Sequence, residues 1–584
     1  MRLAAALALL AIVAPHTQTR EAGPRPSGTA VLGGRVVHDG TAVARAVVTL
    51  DTGDGRADRQ TLTDDDGRFA FERLPAGRFL LTASKPGWVT SFYGSARPGR
   101  PPGVRVAVAD AARADVEIPI LPGAVIAGRV IDESGRPMAR QFPWLLEYRT
   151  IGDRRLLTRA RPPSMVGYFE RMTDDRGQFR LFGLPPGTYY LVTTPTIAAG
   201  ARIATTEEVR WATQTGESGI PPPPPGAIAG YASVFHPGTT DPAGAQPIVV
   251  GAGDVREDVD IRVGFVPVAR LTGVVTLPDG TPARATLTMK LVDSPISLEG
   301  MNRRVTASPD GRFTFQNVPP GTYVLAVRAA SDSTPAFWGE ATVTVAGQDQ
   351  NMGIALVPAS VVTGRVAFAG TSLAPPADLT RIRVQLIDTE SLVSAMTGAA
   401  GPGTVHSGAV ASDGSFTVPG LTPGRYVAAA TWPGMRTGDG TAGWWLTSIR
   451  AGDRDLGDAP IDVPAGADVR AVTLTFSDRI GAIEGVLVDA IGRPAPEHFV
   501  MAFPVDRTSW TPGSRRIVAP VRPGTDGRFR LAGLPAGEYH LAVVTAVEPD
   551  DAADPAFLEA ILPGAITVTV ADGETLRQDL RIGR

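Results

Sequence analysis

The stretch that decides the fold runs from Asp66 to Leu81 and reads DGRFAFERLPAGRFLL. Its Asp-Gly pair suits a tight turn between two strands, because glycine accepts a positive φ without steric cost. The alternating Phe69 and Phe71 place two apolar side chains on one face of the next strand. The Pro-Ala-Gly group predicts a second turn with a left-handed glycine, followed by an aromatic residue, Phe79, that opens a further strand.

The same phrase recurs four more times along the chain. The copies read RGQFRLFGLPPGTYYL at residues 176–191, DGRFTFQNVPPGTYVL at 310–325, DGSFTVPGLTPGRYVA at 413–428 and DGRFRLAGLPAGEYHL at 526–541. The glycines of the two turns are ten residues apart in every copy. The predicted strands are short and recur with each copy of the phrase, and no sustained helical period lies between them. This pattern predicts an all-β chain of about five tandem antiparallel β-sandwich modules, immunoglobulin-like or prealbumin-like. No helix is predicted beyond the first residues.

An aromatic residue stands two places after the second glycine of each copy: Phe79, Tyr189, Tyr323, Tyr426 and Tyr539. A tyrosine at the corner of a sandwich is typically buried, with its hydroxyl bonded to the backbone. The pattern therefore predicts four tyrosine corners, and a phenylalanine in the first module.

Opening and closing strands frame each copy and give the module boundaries. We predict a signal peptide at residues 1–20 and modules at 30–122, 123–266, 267–358, 359–479 and 480–584. The five prolines at residues 221–225 resemble a polyproline linker. Because the closing strand of the second module comes later, around Val259 and Val263, they are predicted to form a loop inserted within that module. A peptide that an aromatic groove recognises is the alternative.

Composition excludes several classes of function. The net charge is −3 and the isoelectric point about 6.1, so no basic field attracts nucleic acid, which is not expected as a partner. The chain has no cysteine, which excludes disulfides, cysteine zinc sites, thiol nucleophiles and lipid attachment to cysteine.

The first residues resemble a secretion signal. Met1 and Arg2 give a short positive start, and residues 3–14 are all apolar. This run is too short to cross a bilayer as an ordinary helix, and no later stretch is longer. We therefore expect an exported protein, in the periplasm or at the cell surface, without a transmembrane span in the mature chain. A buried N-terminal helix is the alternative.

The first module carries the motifs of a known family. It combines GRVV at residues 34–37, TDDDGRFAF at 63–71, LPAGRFLLTA at 74–83 and KPGW at 85–88. This combination resembles the carboxypeptidase regulatory-like domain, and the other copies repeat it less completely, the fourth least. The resemblance implies a prealbumin-like seven-stranded sandwich, related in shape to starch-binding-type modules, and an accessory rather than catalytic role.

No motif for catalysis or for a metal stands out. The histidines lie about one per module, and none has a glutamate three residues on: His16, His38, His236, His406, His498 and His540. The acidic run at residues 64–66 leads straight into a strand, which favours a structural turn over a calcium loop. No nucleophile elbow or phosphate-binding loop appears. We therefore expect no enzyme, no metal and no cofactor.

Aromatic residues are the remaining candidates for a binding site. Trp432 occupies the variable position of a turn, where a side chain is usually exposed, and Trp444 and Trp445 are adjacent on a strand, so one should face outward. Trp88 and Tyr93 of the first module are the next candidates. Exposed tryptophans serve as platforms for sugar rings, but also pack modules together.

Three functions remain open at this point. The leading hypothesis is a non-catalytic extracytoplasmic binding or scaffold protein, with a polysaccharide or an envelope protein as its partner. A purely structural spacer, or an assembly subunit of an envelope complex, is the alternative. A hydrolase of unrecognised type has the least support.

Overall fold

The computed structural model of the protein describes residues 28–51, 59–95, 97, 99–100, 103–151, 154–160, 172–195, 204–213, 228–292, 303–329, 336–389, 392, 405–432, 443–456, 459–511, 513–547 and 551–582. The predicted signal peptide and the proline run at 221–225 lie outside these residues.

The Asp-Gly turns form as predicted. The first glycine of every copy has a left-handed φ between +69° and +83°: Gly67, Gly177, Gly311, Gly414 and Gly527. A Cβ atom on Gly67 would meet the carbonyl oxygen of Val36 at 2.7 Å. Glycine is therefore required there both for the backbone conformation and for the close approach of a neighbouring strand.

The second glycine is not in the left-handed helical region, and that prediction is wrong. Gly77 and Gly187 have no positive φ, whereas Gly321, Gly424 and Gly537 have a positive φ of 156–157°, which L side chains rarely adopt. Each of the five begins a strand. The aromatic ring two residues on folds back over the glycine, so that a Cβ atom on Gly321 would lie 3.3 Å from the ring of Tyr323. The glycine makes room for the corner ring.

The four tyrosine corners are confirmed. Each hydroxyl donates a hydrogen bond to a carbonyl oxygen four residues earlier, at 2.8 Å for Tyr189, 2.9 Å for Tyr323, 2.9 Å for Tyr426 and 2.6 Å for Tyr539. Burial raises the pKa of the Tyr189 phenol to about 12, helped by the charge of Glu147. These hydroxyls are therefore structural donors, fixed within each module.

The first module is a sandwich of two sheets. One sheet contains Ala30–His38, Thr41–Ala42, Arg68–Leu74 and Arg113–Pro119. The other contains Val47–Asp51, Arg59–Leu62, Gly77–Ser84, Ser91–Phe92 and Val106–Val108. Alternate residues of the long strands are buried, such as Phe69 and Phe71 in Arg68–Leu74, and they meet in a common apolar core.

The second module repeats this arrangement with insertions. Its first sheet contains Ala124–Ile131, Gln178–Leu184, Val255–Arg256 and Ile261–Arg262. Its second sheet contains Pro143–Ile151, Arg154–Arg159, Gly187–Thr193, Val234–Phe235 and Ile248–Val250. Ala229–Gly230 pairs with Val266–Pro267, so a two-stranded ribbon joins this module to the next.

The third and fourth modules also each consist of two sheets. The sheets of the third module are formed by Ala269–Thr276, Arg312–Val318 and Gln350–Ala355, and by Thr286–Leu291, Arg303–Thr306, Gly321–Ala329, Phe337–Val345 and Val357–Pro358. Those of the fourth are formed by Ser360–Phe368, Ser415–Leu421, Trp445–Ala451, Arg454–Asp455 and Val469–Ser477, and by Arg383–Asp388, Val405–Ala409, Gly424–Thr431 and Ile461–Val463.

The fifth module has the same two layers and a helical cover. Its sheets are formed by Gly481–Val488, Arg528–Leu534, Thr575–Arg577 and Leu580–Arg581, and by Phe499–Pro504, Gly537–Val544 and Ile566–Val570. The helix Pro555–Ile561 packs with Phe499, Met501 and Phe503 in a second apolar cluster outside the sandwich.

Within the described part of the chain, the short α-helices Thr206–Thr213 and Pro555–Ile561 depart from the prediction of no helix. Short 3₁₀ turns lie at Pro242–Gly244, Leu379–Arg381, Arg507–Ser509, Asp551–Ala553 and Leu562–Gly564. Both α-helices belong to insertions between strands, and neither extends beyond eight residues, so no window of the sequence shows a sustained helical period.

The β-sandwich fold is thus confirmed, with one pairing that the sequence did not predict. In every module the closing strand runs parallel to the opening strand, as Arg113–Pro119 does beside Ala30–His38. All other neighbours pair antiparallel. The first and last strands of each module are joined through the rest of the sandwich, and such a long connection permits a parallel pair.

Each module has its own apolar core. The five main clusters of buried side chains draw on residues 30–120, 124–263, 269–356, 362–476 and 483–580, without sharing a member. The division of the chain at residues 122, 266, 358 and 479 is compatible with these cores and stays a prediction.

Candidate functional site

The fourth-module tryptophans are part of an aromatic core. Trp444 is 5% exposed, and its ring centroid lies 4.9 Å from that of Phe368. Trp432 is half-buried, with its ring 5.2 Å from Phe476 and 6.3 Å from Phe368. The expectation of an exposed turn residue is therefore wrong for Trp432, because its ring folds back onto the end of the sandwich. Trp444 offers no free face to a ligand.

The other candidates are half-buried and lie near junctions between modules. Trp445 faces the fifth module, since a Cβ atom on Gly533 would lie 3.9 Å from its ring. The backbone of Trp88 forms a β-bridge with Pro122 at the end of the first module, and its ring packs on the core of that module, 5.4 Å from the ring of His38. Burial raises the pKa of the Tyr93 phenol. These positions fit the packing role that the sequence left open, and a ligand role for them stays a prediction.

The acidic run is a turn. The carboxylate of Asp64 accepts hydrogen bonds from the backbone N–H groups of Asp66 at 3.0 Å and Arg68 at 2.7 Å. Within the described residues, no group of three or more histidine, aspartate or glutamate side chains could hold a metal ion. In the same part of the chain, no helix is long and apolar enough to cross a membrane.

An open cleft in the second module is a further candidate site among the residues that the structure describes. It measures about 570 Å³, and its walls come from three places: the turn at Glu133, the loop from Pro237 to Gln246, and the closing strand at Arg262. The backbone N–H of Arg262 donates to the carbonyl of Pro237 at 3.0 Å. This bond fixes the loop against the sheet, so the cleft rests on the rigid part of the module.

Hydrogen bonds within the loop hold the rest of the wall. The N–H groups of Phe235 and Thr239 each donate to the other's carbonyl, at 2.7 and 3.1 Å. Asp241 caps the turn Pro242–Gly244 by accepting from the N–H of Ala243 at 2.9 Å. The N–H of Gln246 donates to the carbonyl of His236 at 3.1 Å. These hydrogen bonds fix the shape of the loop.

The polar groups that line the cleft are chemically varied. Glu133 contributes a carboxylate, Arg262 a guanidinium, Gln246 an amide and Thr239 a hydroxyl. The side chains of Glu133, Gln246 and Arg262 are exposed. Together they offer both donors and acceptors within one small concave surface, as sites for polar small molecules do.

An aromatic pair lies beside the cleft. The rings of Tyr231 and Phe265 stack with centroids 4.7 Å apart and planes only 4° from parallel. Phe265 follows Gly264, which lines the cleft, and is 43% exposed. Burial first, and then the negative charges of Glu133 and Asp132, raise the pKa of the Tyr231 phenol. The stack therefore lies next to the lining of the cleft, without belonging to it, and the Phe265 ring is partly exposed to solvent.

Sequence reasoning did not find this cleft. Tyr231 and Phe265 stand far apart in the chain, outside the repeated phrase, and Glu133 lies in an ordinary turn. The one available signal is Phe265 itself, an aromatic residue after a glycine at the end of a closing strand, where the other modules have no aromatic at the corresponding place.

The first module matches a known domain family. The architecture defines the first module as a prealbumin-like β-sandwich, and residues 31–119 match the model of a family described as the carboxypeptidase regulatory-like domain. The first module is such a domain, as its motifs indicated. A search of curated proteins gives no match for the chain.

Several solved structures match the chain at low similarity. A streptococcal ancillary pilin is 10% identical and covers 56% of this chain and 98% of its own, with a TM-score of 0.20. The Bacillus anthracis TIE protein is 11% identical, with 78% and 74% covered and a TM-score of 0.14. GBS52, the minor pilin of Streptococcus agalactiae, is 12% identical, with 38% and 95% covered and a TM-score of 0.18. At these values the likeness carries no argument about function.

Proposed function

We propose that the protein is an exported, non-catalytic multi-module binding protein and that its second module binds a saccharide. The observation that carries this proposal is the Tyr231–Phe265 stack beside a cleft lined by Glu133, Gln246 and Arg262. An apolar ring next to convergent polar groups matches the two kinds of surface that a sugar ring presents.

The chemistry of the two surfaces supports this class of ligand. The C–H face of a pyranose packs on an aromatic ring, and Phe265 offers the larger exposed area. The sugar hydroxyls each donate and accept, so they pair with the carboxylate of Glu133 and the guanidinium of Arg262. The cleft holds both charges, which favours a neutral or weakly charged polysaccharide over a strongly charged one.

A structural spacer or assembly subunit of an envelope complex is the second candidate. It is favoured by the position of Trp88 and Trp445 at module junctions, where aromatic rings stabilise packing rather than bind ligands. An envelope protein would then be the partner, and the cleft would be an incidental feature of the surface.

The test uses the full mature chain and a panel of soluble polysaccharides in affinity electrophoresis and on a glycan array. We expect Phe265→Ala to weaken binding roughly three- to tenfold, the loss of one aromatic contact. The matched control is Ile491→Ala, which removes a 66% exposed apolar side chain from a turn of the fifth module.

Three results separate the candidates. Weakened binding for Phe265→Ala and unchanged binding for Ile491→Ala support the cleft. Binding that Phe265→Ala leaves intact but Trp432→Ala abolishes, with both variants folded, places the site in the fourth module. An absence of binding by the native chain to every polysaccharide favours the spacer.

A further inference from the structure

A loop of the fifth module reaches the first module, although nearly the whole chain lies between them. Arg78 pairs with Asp526 at 2.7 Å between Nη2 and Oδ2. The N–H of Ala107 donates to the hydroxyl of Thr525 at 3.2 Å, and the N–H of Thr525 donates to the carbonyl of Arg105 at 3.2 Å. Three polar contacts thus join the two modules at the paired strands Gly77–Ser84 and Val106–Val108 of the first module.

A buried arginine adds a fourth contact. Arg522 is 8% exposed, and its guanidinium lies 4.6 Å from the ring centroid of Phe499 in its own module. One nitrogen donates to the carbonyl of Glu497 at 2.8 Å and another to the carbonyl of Gly94 in the first module. A buried guanidinium is costly unless it is bonded, so the first module supplies a partner that this side chain requires.

The docking loop differs in sequence from the first two copies of the turn. The loop is the fifth copy of the Asp-Gly turn, and in the first two copies its first position is a capping aspartate, Asp64 or Asp174. In the fifth copy the position is Gly524. A Cβ atom there would lie 2.7 Å from Oδ1 of Asp526 in the same loop, and in ordinary van der Waals contact, at 3.4 Å, with the carbonyl of Arg105 and Nε of Arg78. Gly524 therefore leaves room for the Asp526 carboxylate that pairs with Arg78, and it lies directly against the first module.

Neighbouring modules are also joined by contacts of their own. Between the first and second, Arg100 pairs with Glu147 at 2.7 Å. Between the third and fourth, Arg328 donates to His406 at 2.9 Å. Between the fourth and fifth, Arg515 donates to the carbonyl of Leu446. The ribbon at Ala229–Gly230 joins the second module to the third.

We infer that the fifth module docks on the first and closes the array into one compact body. The contact formed by Arg78, Gly94, Arg105 and Ala107 with Arg522, Thr525 and Asp526 is termed the terminal clasp. Its partner is the protein's own first module. This inference is independent of saccharide binding, because the cleft of the second module takes no part in it.

One of the four contacts of the clasp, between Arg78 and Asp526, is an ion pair, so high ionic strength weakens the clasp. The side chains of Arg78 and Asp526 are 42% and 34% exposed, and salt screens such a pair. Covalent linkage of the two modules supplies a high effective concentration, which keeps a weak contact closed at low salt. High salt therefore shifts the population toward an open, longer particle.

The experiment measures energy transfer between dyes on the two terminal modules. Because the chain has no cysteine, L62C and I491C introduce unique labelling sites at side chains that are 62% and 66% exposed. We expect transfer to fall in R78E, which repels Asp526 and leaves the turn intact, and to recover in R78E/D526R. R530E is the matched control, because Arg530 pairs at 3.1 Å with Glu484 inside the fifth module.

Small-angle scattering gives an independent reading of shape. A compact body of this length has a radius of gyration of about 25 Å, and five modules in a row would give about 50 Å. The compact value for the native chain, rising in R78E and at 0.5 M salt, supports the clasp. Equal transfer in native protein, R78E and R530E overturns it. Transfer only between separately labelled molecules also overturns it, since the contact would then join two chains.

Discussion

The junction between the third and fourth modules should weaken in acid. The Nε2 atom of His406 accepts a hydrogen bond from Arg328 at 2.9 Å, and this bond requires a neutral imidazole. The backbone carbonyl of Pro419 accepts a hydrogen bond from the same ring. The ring also packs edge-on against Tyr426, with centroids 5.8 Å apart. Asp388 is the remaining charged group near it. A proton on His406 would place two cations in contact.

The pKa of His406 gives the magnitude and the sign of the pH effect on the stability of the fourth module. Burial first, and then the charge of Arg328, lower this pKa from 6.5 to about 4. Below pH 6.5 the unfolded fourth module therefore binds a proton that the folded module does not, and the free energy of unfolding falls as the pH falls. The loss levels off below pH 4 and is on the order of 3 kcal/mol.

Differential scanning calorimetry of the full chain between pH 7 and pH 4 measures this loss. We expect the transition of the fourth module to move to lower temperature across this range, by more than those of modules without such a junction. In His406→Gln the same transition should lose its dependence on pH, because glutamine accepts from Arg328 without titrating. His540→Gln, in the fifth module, is the control. An unchanged pH dependence in His406→Gln would refute the reasoning.

Three further outcomes follow from the repeated turns, the corners and the N-terminus. Gly67→Ala should destabilise the first module by about 3 kcal/mol, because the added Cβ meets the carbonyl of Val36. Gly40→Ala, at a similar φ but with nothing within 4 Å of the added Cβ, should destabilise it by only about 1–2 kcal/mol. Thermal denaturation compares the two variants. Tyr323→Phe should cost about 1 kcal/mol by removing the bond to Pro319, measured by the same method. N-terminal sequencing of protein from its native host should find the first residue between about 15 and 28; intact Met1 would contradict export.

Much of the fold was predictable because it depends on local turn chemistry that repeats. The Asp-Gly glycines and the corner tyrosines are set by a few neighbouring residues, and both appear as predicted. The second glycine was misassigned because its role depends on a ring two residues away. A Pro-Pro-Gly group looks the same in sequence whether its glycine is left-handed or lies beneath Tyr323.

The candidate site was less predictable because exposure is a property of the whole module. Trp432 stands in a turn, yet its ring packs against Phe368 and Phe476, which lie on strands distant in sequence. The stack of Tyr231 on Phe265 forms only when the ribbon between the second and third modules brings both residues together. No local pattern indicates such contacts.

Hydrogen–deuterium exchange of the full chain, with and without the polysaccharide that binds best, tests the central claim most directly. The account predicts slower exchange at the cleft of the second module, in the turn at Glu133 and the segments around Gln246 and Arg262, with little change in the fourth module. Protection confined to the segments of Trp432 and Trp445, or no protection anywhere at saturating polysaccharide, would contradict it.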